Sequence, residues 1–337
     1  MKLPFLSPPA ATRSTGSRDY SFDNIRGFLI ICVVLGHFLE VCPMFKGSHS
    51  IYRVIYSFHM PAFIFLTGYF AHFSRKKIVF SWFVPYLVFQ TIYILFDNAV
   101  YHTQTPLQYT TPHWILWYLL TGTFYQALVP LYDKKTTRHQ LTCLICVFVI
   151  AIAVGYDSTV GYYASLSRFL VHQPWFVLGL YCRRYVRNGQ IPQETANLYV
   201  SAFSAVAVLL SVLGVYLSGL SEKVMFGSYS YASLGYTPLV RIAVMLVALV
   251  WIVFLMYGLR PLTNRRIFLL TYIGQNTLPV FLLHGLVVKV VPHFYPQLIS
   301  SPIRVGLLTI AVVLLFGNRF CNGMIRLITF DWLKKYI

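Results

Sequence analysis

Long apolar stretches recur along almost the whole chain, and they constrain its fold more than any other feature. A helix needs about 20 consecutive apolar residues to cross the hydrocarbon core of a bilayer. Backbone polar groups cannot be left unpaired in lipid, so segments of this kind fold as helices. The sequence therefore predicts an all-α, polytopic integral membrane helical bundle of about ten transmembrane helices, which we place at 25–42, 53–71, 78–100, 113–131, 140–155, 167–182, 197–218, 238–258, 267–289 and 303–325.

The composition and the two ends of the chain agree with this prediction. Hydrophobic residues make up 57% of the 337 residues, and charged residues only 11%. The first 20 residues are polar and basic and contain Pro8 and Pro9, which is typical of a cytosolic tail and not of a signal peptide. We expect a cytoplasmic N-terminal tail at 1–24, a membrane domain at 25–325 and a cytoplasmic C-terminal tail at 326–337. The protein is then a multi-pass protein of a cell membrane, and we expect the bacterial cytoplasmic membrane.

Basic residues are concentrated in alternate loops, and this pattern explains the formal net charge of +18. A charge of this size can indicate a nucleic-acid-binding protein, but here the positive-inside rule accounts for its distribution. The rule places both termini in the cytoplasm and favours an even number of spans. Binding of an anionic cytoplasmic ligand is a second interpretation of the same clusters, which are Arg75, Lys76 and Lys77, then Lys134, Lys135 and Arg138, then Arg183, Arg184 and Arg187, and then Arg260, Arg265 and Arg266.

Motifs for other chemistries are absent or incomplete. Cys143 and Cys146 have the spacing of a zinc or redox motif, but they lie inside a predicted span without a second pair of ligands. The sequence has no glycine-rich phosphate loop and no Gly-x-Ser-x-Gly or His-Glu-x-x-His motif. It therefore predicts no metal site, and its loops are too short for a separate soluble domain.

The first predicted span carries an arginine and a histidine on nearly the same helix face. Eleven helical positions lead from Arg26 to His37, which is about three turns, or about 16 Å along the axis. Ionisable side chains in membrane helices usually face a protein interior or a water-filled cavity. Glu40 follows His37 by three residues and can orient it or stabilise its charge. This arrangement favours a catalytic channel with an anchoring cation at one end and a titratable base at the other.

Ionisable residues of other spans are predicted to lie at the same depth as His37. With the expected orientation, His37, His59, Arg168 and His284 all fall in the outer half of their spans. Each histidine alone is explained equally well as a hydrogen-bonded helix residue. The agreement between spans one, two, six and nine favours a shared cavity, which opens outward and connects inward through a narrow passage to the basic face.

Several short motifs follow one another in an informative order. They are Phe22-Asp23-Asn24-Ile25-Arg26-Gly27 with Gly36-His37, Phe58-His59-Met60-Pro61 continuing to Gly68-Tyr69, Trp114-Ile115-Leu116-Trp117-Tyr118-Leu119, Arg168-Phe169-Leu170 with Pro174-Trp175-Phe176-Val177-Leu178-Gly179, and Gly274-Gln275-Asn276-Thr277 with Leu283-His284. As a set, over roughly residues 20–325, they resemble the membrane acyltransferase-3 family, and its fucose 4-O-acetylase-like acetyltransferases in particular. The chain departs from many relatives at Thr67, where they have serine, and it lacks the extra extracytoplasmic domain that some relatives carry.

The resemblance implies an O-acyltransferase. Family members move an acyl group, commonly acetyl from cytoplasmic acetyl-CoA, onto sugars of extracytoplasmic glycans, and Arg26 and His37 would be the essential pair. The expected partners are acetyl-CoA as donor, a glycan or lipid-linked sugar as acceptor, and membrane lipids. No metal, further cofactor or nucleic acid is required.

The family's chemistry fits the predicted geometry and gives each candidate residue a role. His37, oriented by Glu40, is the expected general base toward a sugar hydroxyl. His284, Asn276 and Thr277 are candidates to stabilise the oxyanion, while His59 and Arg168 lie where the substrate would bind. The donor's phosphates would be bound by Arg26 and by one or more of Arg75, Lys76, Lys77, Arg183, Arg184, Arg265 and Arg266.

Two other classes remain open at this point. A secondary transporter would also have about ten spans and buried polar groups, but it favours paired intramembrane acids. Of the nine acidic residues, Glu40 and Asp97 lie clearly near the membrane, which argues against ion coupling. A flippase or polymerase for a glycan precursor would share the basic loops and the tyrosine-rich outer loops.

Overall fold

The computed structural model of the chain describes residues 20–43, 45, 47–134, 136–187, 198–259 and 263–335. Most of the expected N-terminal tail at 1–24 therefore lies outside the described residues, as do Lys135 and Arg260 of the basic loops and the last two residues of the C-terminal tail at 326–337. Throughout the described ranges the regular structure is helical. The all-α prediction is confirmed.

Twelve helices of eight residues or more account for most of the described chain. They are α1 (Ser21–Val41), α2 (Ser48–Tyr69), α3 (Arg75–Tyr101), α4 (Trp117–Ala127), α5 (Thr137–Ala153), α6 (Leu166–Arg187), α7 (Leu198–Leu217), α8 (Pro238–Val253), α9 (Phe268–Gln275), α10 (Thr277–Phe294), α11 (Pro302–Phe316) and α12 (Arg319–Ile328). Single helical turns extend or connect them, at Trp114–Leu116 before α4 and at Val154–Tyr156 after α5, for example.

Each of the ten predicted segments coincides with helix, although not all of these helices qualify as membrane spans by length and apolar composition. Six described helices do, and the bent pair of α11 and α12 makes a seventh. Helix α4 has 11 residues and is too short, whereas α2 and α6 are long enough but carry the polar residues discussed below. The chain is therefore a polytopic membrane protein, while the count of ten and the cytoplasmic position of both termini remain predictions.

Two predicted spans are not continuous helices, and these two boundaries are corrected. Segment 267–289 breaks at Asn276, whose backbone leaves the helical region and whose side-chain amide donates to the Tyr272 carbonyl oxygen at 2.8 Å. Segment 303–325 bends by 64° between α11 and α12. There Asn318 caps α12 by accepting a hydrogen bond from the Cys321 backbone amide at 2.9 Å, as is typical of a helix N-terminus.

Helix α1 occupies the centre of the bundle and packs against α2, α9, α10 and α11. Its closest approach is to α9, through two glycines. A β-carbon on Gly274 would lie 1.7 Å from the Asp23 carbonyl oxygen, and one on Gly27 would lie 2.3 Å from the Leu270 carbonyl oxygen. Small residues allow membrane helices to pack with their backbones in contact. The start of α1, which carries Arg26, is thereby fixed against α9.

Candidate active site

The polar residues that precede Arg26 hold the first turn of α1 in place. The Asn24 side-chain amide donates to the carbonyl oxygens of Thr263 and Arg265, at 2.6 and 2.8 Å, and its oxygen accepts from the Thr271 hydroxyl at 2.6 Å. The neighbouring Asp23 accepts a hydrogen bond from the Gln275 amide at 2.9 Å. These bonds tie the start of α1 to the chain before and within α9, so this part of the motif has a structural role.

The Arg26 side chain is positioned by a carboxylate and an aromatic ring. Its guanidinium lies 3.9 Å from the Asp23 carboxylate and 4.5 Å from the centre of the Phe70 ring. Phe70 is in turn packed edge-on against Phe22, with ring centres 5.0 Å apart. A guanidinium held between a carboxylate and a ring face loses little further freedom when it binds an anion.

Three neighbouring cavities follow α1 from Arg26 to His37. The Arg26 cavity, of about 200 Å³, includes Arg26, Lys77 and Thr277 in its wall. The middle cavity, of about 210 Å³, shares Lys77 and Thr277 with it and adds Ile30. The His37 chamber, of about 310 Å³, shares three apolar side chains with the middle cavity, namely Val33, Met60 and Phe281.

The register of the helices explains this row of cavities. Arg26, Ile30, Val33 and His37 are spaced by three or four residues, so they form one stripe along α1. The antiparallel helix α2 contributes a matching stripe of Thr67, Phe63, Met60 and Tyr56. The three cavities are therefore adjacent along α1 and α2 and share wall residues, and we call this row of cavities the path. A continuous passage between the two ends of α1 remains a prediction.

His37 belongs to a hydrogen-bonded group of three side chains. Its Nδ1 lies 3.0 Å from a Glu40 carboxylate oxygen and 3.1 Å from the Tyr56 hydroxyl, which itself donates to Glu40 at 3.4 Å. The carboxylate partner assigns the proton of a neutral His37 to Nδ1. The lone pair then lies on Nε2, which forms no hydrogen bond with any described residue. The predicted pairing of Glu40 with His37 is present, and Tyr56 is an addition that sequence reasoning missed.

Trp114 packs on His37 in a strained backbone conformation. The two ring centres are 4.6 Å apart, and Trp114 has φ of +30°, in the left-handed region that bulky residues rarely adopt. Gln90 of α3 fixes the preceding segment by donating to Gln108 and Thr111 carbonyl oxygens and by accepting from the His113 amide at 2.7 Å. Strained residues that the surrounding structure holds in place are often found at active sites.

An ion-paired group behind Trp114 was also missed. The Asp97 carboxylate accepts from Lys289 Nζ at 2.9 Å and lies 2.8 Å from His113 Nε2, so it joins α3, α10 and the segment before Trp114. The sequence did contain a signal for this group. An acid and a base in two apolar segments each require a partner within the protein, and Asp97 and Lys289 are such a pair.

His59 and Arg168 lie in the wall of the His37 chamber, as predicted, together with His172. His59 Nδ1 donates to the Ile55 carbonyl oxygen at 2.7 Å, so its other ring nitrogen is a hydrogen-bond acceptor when the ring is neutral. Arg168 places its guanidinium over Trp117 and Tyr162, at 5.2 and 5.0 Å from the ring centres. The chamber thus combines a candidate base with aromatic and cationic side chains.

His284 lies beside His37 but is fully buried. The two ring centres are 5.4 Å apart, and His284 Nδ1 donates to the Val280 carbonyl oxygen at 2.8 Å. A neutral His284 therefore presents an acceptor nitrogen, Nε2, which has no partner among the described residues. An acceptor does not stabilise an oxyanion, so a neutral His284 with this hydrogen bond does not fit the predicted contact with the oxyanion.

Asn276 and Thr277 are not brought into the His37 chamber. Thr277 lies in the walls of the Arg26 and middle cavities. Asn276 is buried, and its side-chain oxygen accepts from the Asn322 amide at 3.2 Å. The structure therefore places Thr277 on the Arg26 side of the path and Asn276 at the junction between helices.

The basic clusters differ in their access to the path. Lys77 lines the Arg26 and middle cavities, whereas Arg75 and Lys76 are exposed beside it. Arg183 and Arg184 line a separate cavity of about 330 Å³, and Arg184 forms an ion pair with Asp133. Arg265 and Arg266 are exposed and are absent from the described wall of the path. Lys77 is thus the cluster residue that lies with Arg26.

The described side chains include no group of three or more histidine, cysteine, aspartate or glutamate residues that could hold a metal ion. Cys143 lies 3.2 Å from His139 Nε2, which is a local contact within α5.

Comparisons with known proteins identify the family of the chain. The family model of the acyltransferase domain that defines the acyltransferase-3 family matches residues 19–317. The nodulation protein NolL of Sinorhizobium fredii is 34% identical over 74 residues, and NolL of Mesorhizobium japonicum is 38% identical over 60 residues. These matches cover 20% and 16% of this chain, and the same shares of the two relatives. No solved structure matches the chain. Because the family model spans most of its length, the chain belongs to the acyltransferase-3 family of integral membrane acyltransferases.

Proposed function

We propose that this protein transfers an acetyl group from cytoplasmic acetyl-CoA to a hydroxyl of an extracytoplasmic glycan sugar. One observation carries the proposal. A row of three cavities joins a cationic end, with Arg26 and Lys77, to a candidate general base, His37, that has its own carboxylate partner. A long, thin thioester donor with phosphates at one end and a reactive carbon at the other fits such a path.

The proposal orients the Arg26 end toward the cytoplasm and the His37 chamber toward the opposite side. The first turn of α3 and the last turns of α6 lie on the Arg26 side, and they carry Arg75, Lys76, Arg183 and Arg184. Basic residues are what the positive-inside rule requires of a cytoplasmic face. The same orientation puts both termini in the cytoplasm and requires an even number of spans, and we keep the ten that the sequence predicts. Acetyl as the acyl group is proposed from the resemblance to O-acetyltransferases.

Donor binding begins at the phosphates. The Arg26 guanidinium and the Lys77 ammonium both face the Arg26 cavity, and both side chains bind phosphate well. We assign Arg183, Arg184, Arg265 and Arg266 to orientation of the chain, because they lie off the path. The pantetheine arm then follows the middle cavity past Val33, Met60 and Phe281, which brings the thioester into the His37 chamber.

The transfer itself is carried by His37. Its Nε2 takes the proton of the sugar hydroxyl as the sugar oxygen attacks the thioester carbonyl carbon. The bond from carbon to sulfur then breaks, and the CoA thiolate leaves with the proton returned by the imidazolium. Glu40 stabilises that imidazolium through Nδ1. General base catalysis of this kind typically contributes about 10²–10⁴-fold to the rate.

The ion-coupled transporter alternative has less support in the geometry. It would use intramembrane acids to bind the coupling ion. Asp97 is bound to Lys289 and His113, and Glu40 is bound to His37 and Tyr56. Both acids are therefore already bound to side chains of the protein, which leaves neither of them as a clear site for a coupling ion.

The proposal is tested with membranes from cells that express the protein, supplied with acetyl-CoA labelled in the acetyl group. We expect label to enter the glycan fraction as an alkali-labile ester, and mass spectrometry to find one added acetyl group on one sugar. Membranes from cells without the gene serve as the control. Equal labelling of the glycans in both membranes would contradict the proposed function. Label that is attached to the glycan but is not released by alkali would contradict it as well.

A further inference from the structure

Arg168 is an arginine of the chamber wall that has no hydrogen-bond partner in the described part of the chain. Its guanidinium forms no hydrogen bond with any described residue, and no described carboxylate lies within 4.0 Å of it. Arg241, which is buried nearby, differs in this respect. It donates to the carbonyl oxygens of Ala151 and Tyr229, at 3.0 Å each, and to the Tyr236 hydroxyl. Arg241 is thus used within the fold, whereas the donors of Arg168 are available to a ligand.

The surroundings of Arg168 hold it ready for such a ligand. Trp117 and Tyr162 lie within 5.2 Å of the guanidinium carbon, so the side chain is stacked on two rings. Stacking on aromatic faces fixes the guanidinium and leaves the N–H groups at its edge free to donate. Arg168 also lines the same chamber as His37, so a molecule bound there can place a hydroxyl near the base.

The chamber wall carries more cationic than anionic groups. Lys223 lines it as a second cation. Glu40 is the one carboxylate among the described residues of this wall, and it is bound to His37 and Tyr56. Glu222, beside Lys223, is directed toward His49 at 3.9 Å. An unpaired cation in a membrane protein commonly marks a substrate site.

We propose that the acceptor is an anionic sugar, whose carboxylate or phosphate is bound by the Arg168 fork, with Lys223 as a second contact. The inference rests on the proposed function and specifies its acceptor. A guanidinium binds either group through two parallel N–H···O bonds. The anion has two possible sources, a carboxylate on the glycan itself or the phosphate that links a sugar to its lipid carrier.

Binding of small sugars to the purified full chain, without any donor, tests this inference. The probes are D-glucuronate, α-D-glucose 1-phosphate and the neutral methyl α-D-glucopyranoside, and the readout is fluorescence of the chamber tryptophans, Trp114 and Trp117. Hydrogen bonds to charged groups are strong enough that we expect the better anionic sugar to bind about tenfold more tightly than the glucoside. This preference should weaken as salt is added. Tighter binding of D-glucuronate indicates a carboxylate on the glycan, and tighter binding of α-D-glucose 1-phosphate indicates the phosphate of the lipid carrier.

Arg168→Gln should lose most of the preference for the anionic sugars, with Lys223 left as the remaining cation of the wall. Arg168→Lys should keep a larger part of the preference because it keeps the charge without the fork. The matched control is Arg304→Gln, since Arg304 is exposed and bonds to Gln297 and Ser300. Equal affinities of the wild type for charged and neutral sugars would overturn the inference, and so would an undiminished preference in Arg168→Gln. If Arg168→Gln does not fold, the inference is tested by two other measurements. They are the salt dependence of the wild-type preference for anionic sugars and the size of that preference in Arg168→Lys. Because no donor is present, failure here leaves the acetyl transfer proposal to its own test.

Discussion

Replacing His37 with alanine is expected to lower acetyl transfer by about 10²–10⁴-fold while the protein stays folded in the membrane. The side chain lines a cavity, so its removal enlarges a space that already exists and does not open a separate void in the core. What is lost is the Nε2 lone pair that accepts the sugar proton. The initial rate of label transfer to glycan, at equal amounts of inserted protein, measures the effect.

The Glu40 network provides a graded comparison for this prediction. Glu40→Gln keeps an acceptor for Nδ1 but removes the charge that stabilises the imidazolium, so its rate should fall between those of the wild type and His37→Ala. His293→Ala is the matched control, because His293 is exposed at the end of α10 and contacts two aromatic rings. Wild-type transfer by His37→Ala would remove His37 from the mechanism.

Arg26→Lys is expected to bind acetyl-CoA about tenfold more weakly or worse, since hydrogen bonds to a charged group are lost. The guanidinium is held by Asp23 and by the face of Phe70 at 4.5 Å, and an ammonium has neither the planar fork nor the same stacking. Equilibrium binding of labelled acetyl-CoA to the purified protein measures the change. Arg26 is proposed to contact the donor's phosphates and not the acyl group, so the affinity for acetyl-CoA should fall even when His37 is intact.

The matched control for Arg26 is Arg265→Lys, an exposed arginine outside the described wall of the path. Its donor affinity should equal that of the wild type. If Arg26→Lys also retains full affinity, Arg26 does not bind the donor. Its contacts with Asp23 and Phe70 would then have a structural purpose only.

The sequence was sufficient to predict the helices and the proximity of several candidate residues, whose roles stay predictions. Apolar segments of membrane-spanning length left no alternative to helix, and each predicted segment is helical in the described chain. His37 and Glu40, three residues apart, lie on one side of any helix. His59 and Arg168 joined them because similar depths in adjacent spans bring residues together.

The positions and contacts of the other site residues could not be predicted from the lengths of the apolar segments. Seven positions separate Thr277 from His284, about 10 Å along α10, so Thr277 lies with Arg26 and not with His37. The break at Asn276 is accompanied by a single side-chain hydrogen bond, which apolar length does not predict. Tyr56 is one of 25 tyrosines, and its role appears only when α1 and α2 are placed side by side. The protonation geometry of His284 likewise required its bond to Val280.

The central claim is that the donor lies along α1, with its phosphates at Arg26 and its acyl group at His37. The most direct measurement is a structure, by electron cryo-microscopy, of the protein bound to a non-hydrolysable thioether analogue of acetyl-CoA. The account predicts phosphates beside Arg26 and Lys77 and the acyl carbon in the His37 chamber, close enough that a sugar oxygen bound to Nε2 lies within about 3–3.5 Å of it. A donor whose acyl carbon stays in the Arg26 cavity, or whose phosphates lie in the His37 chamber, would contradict the account.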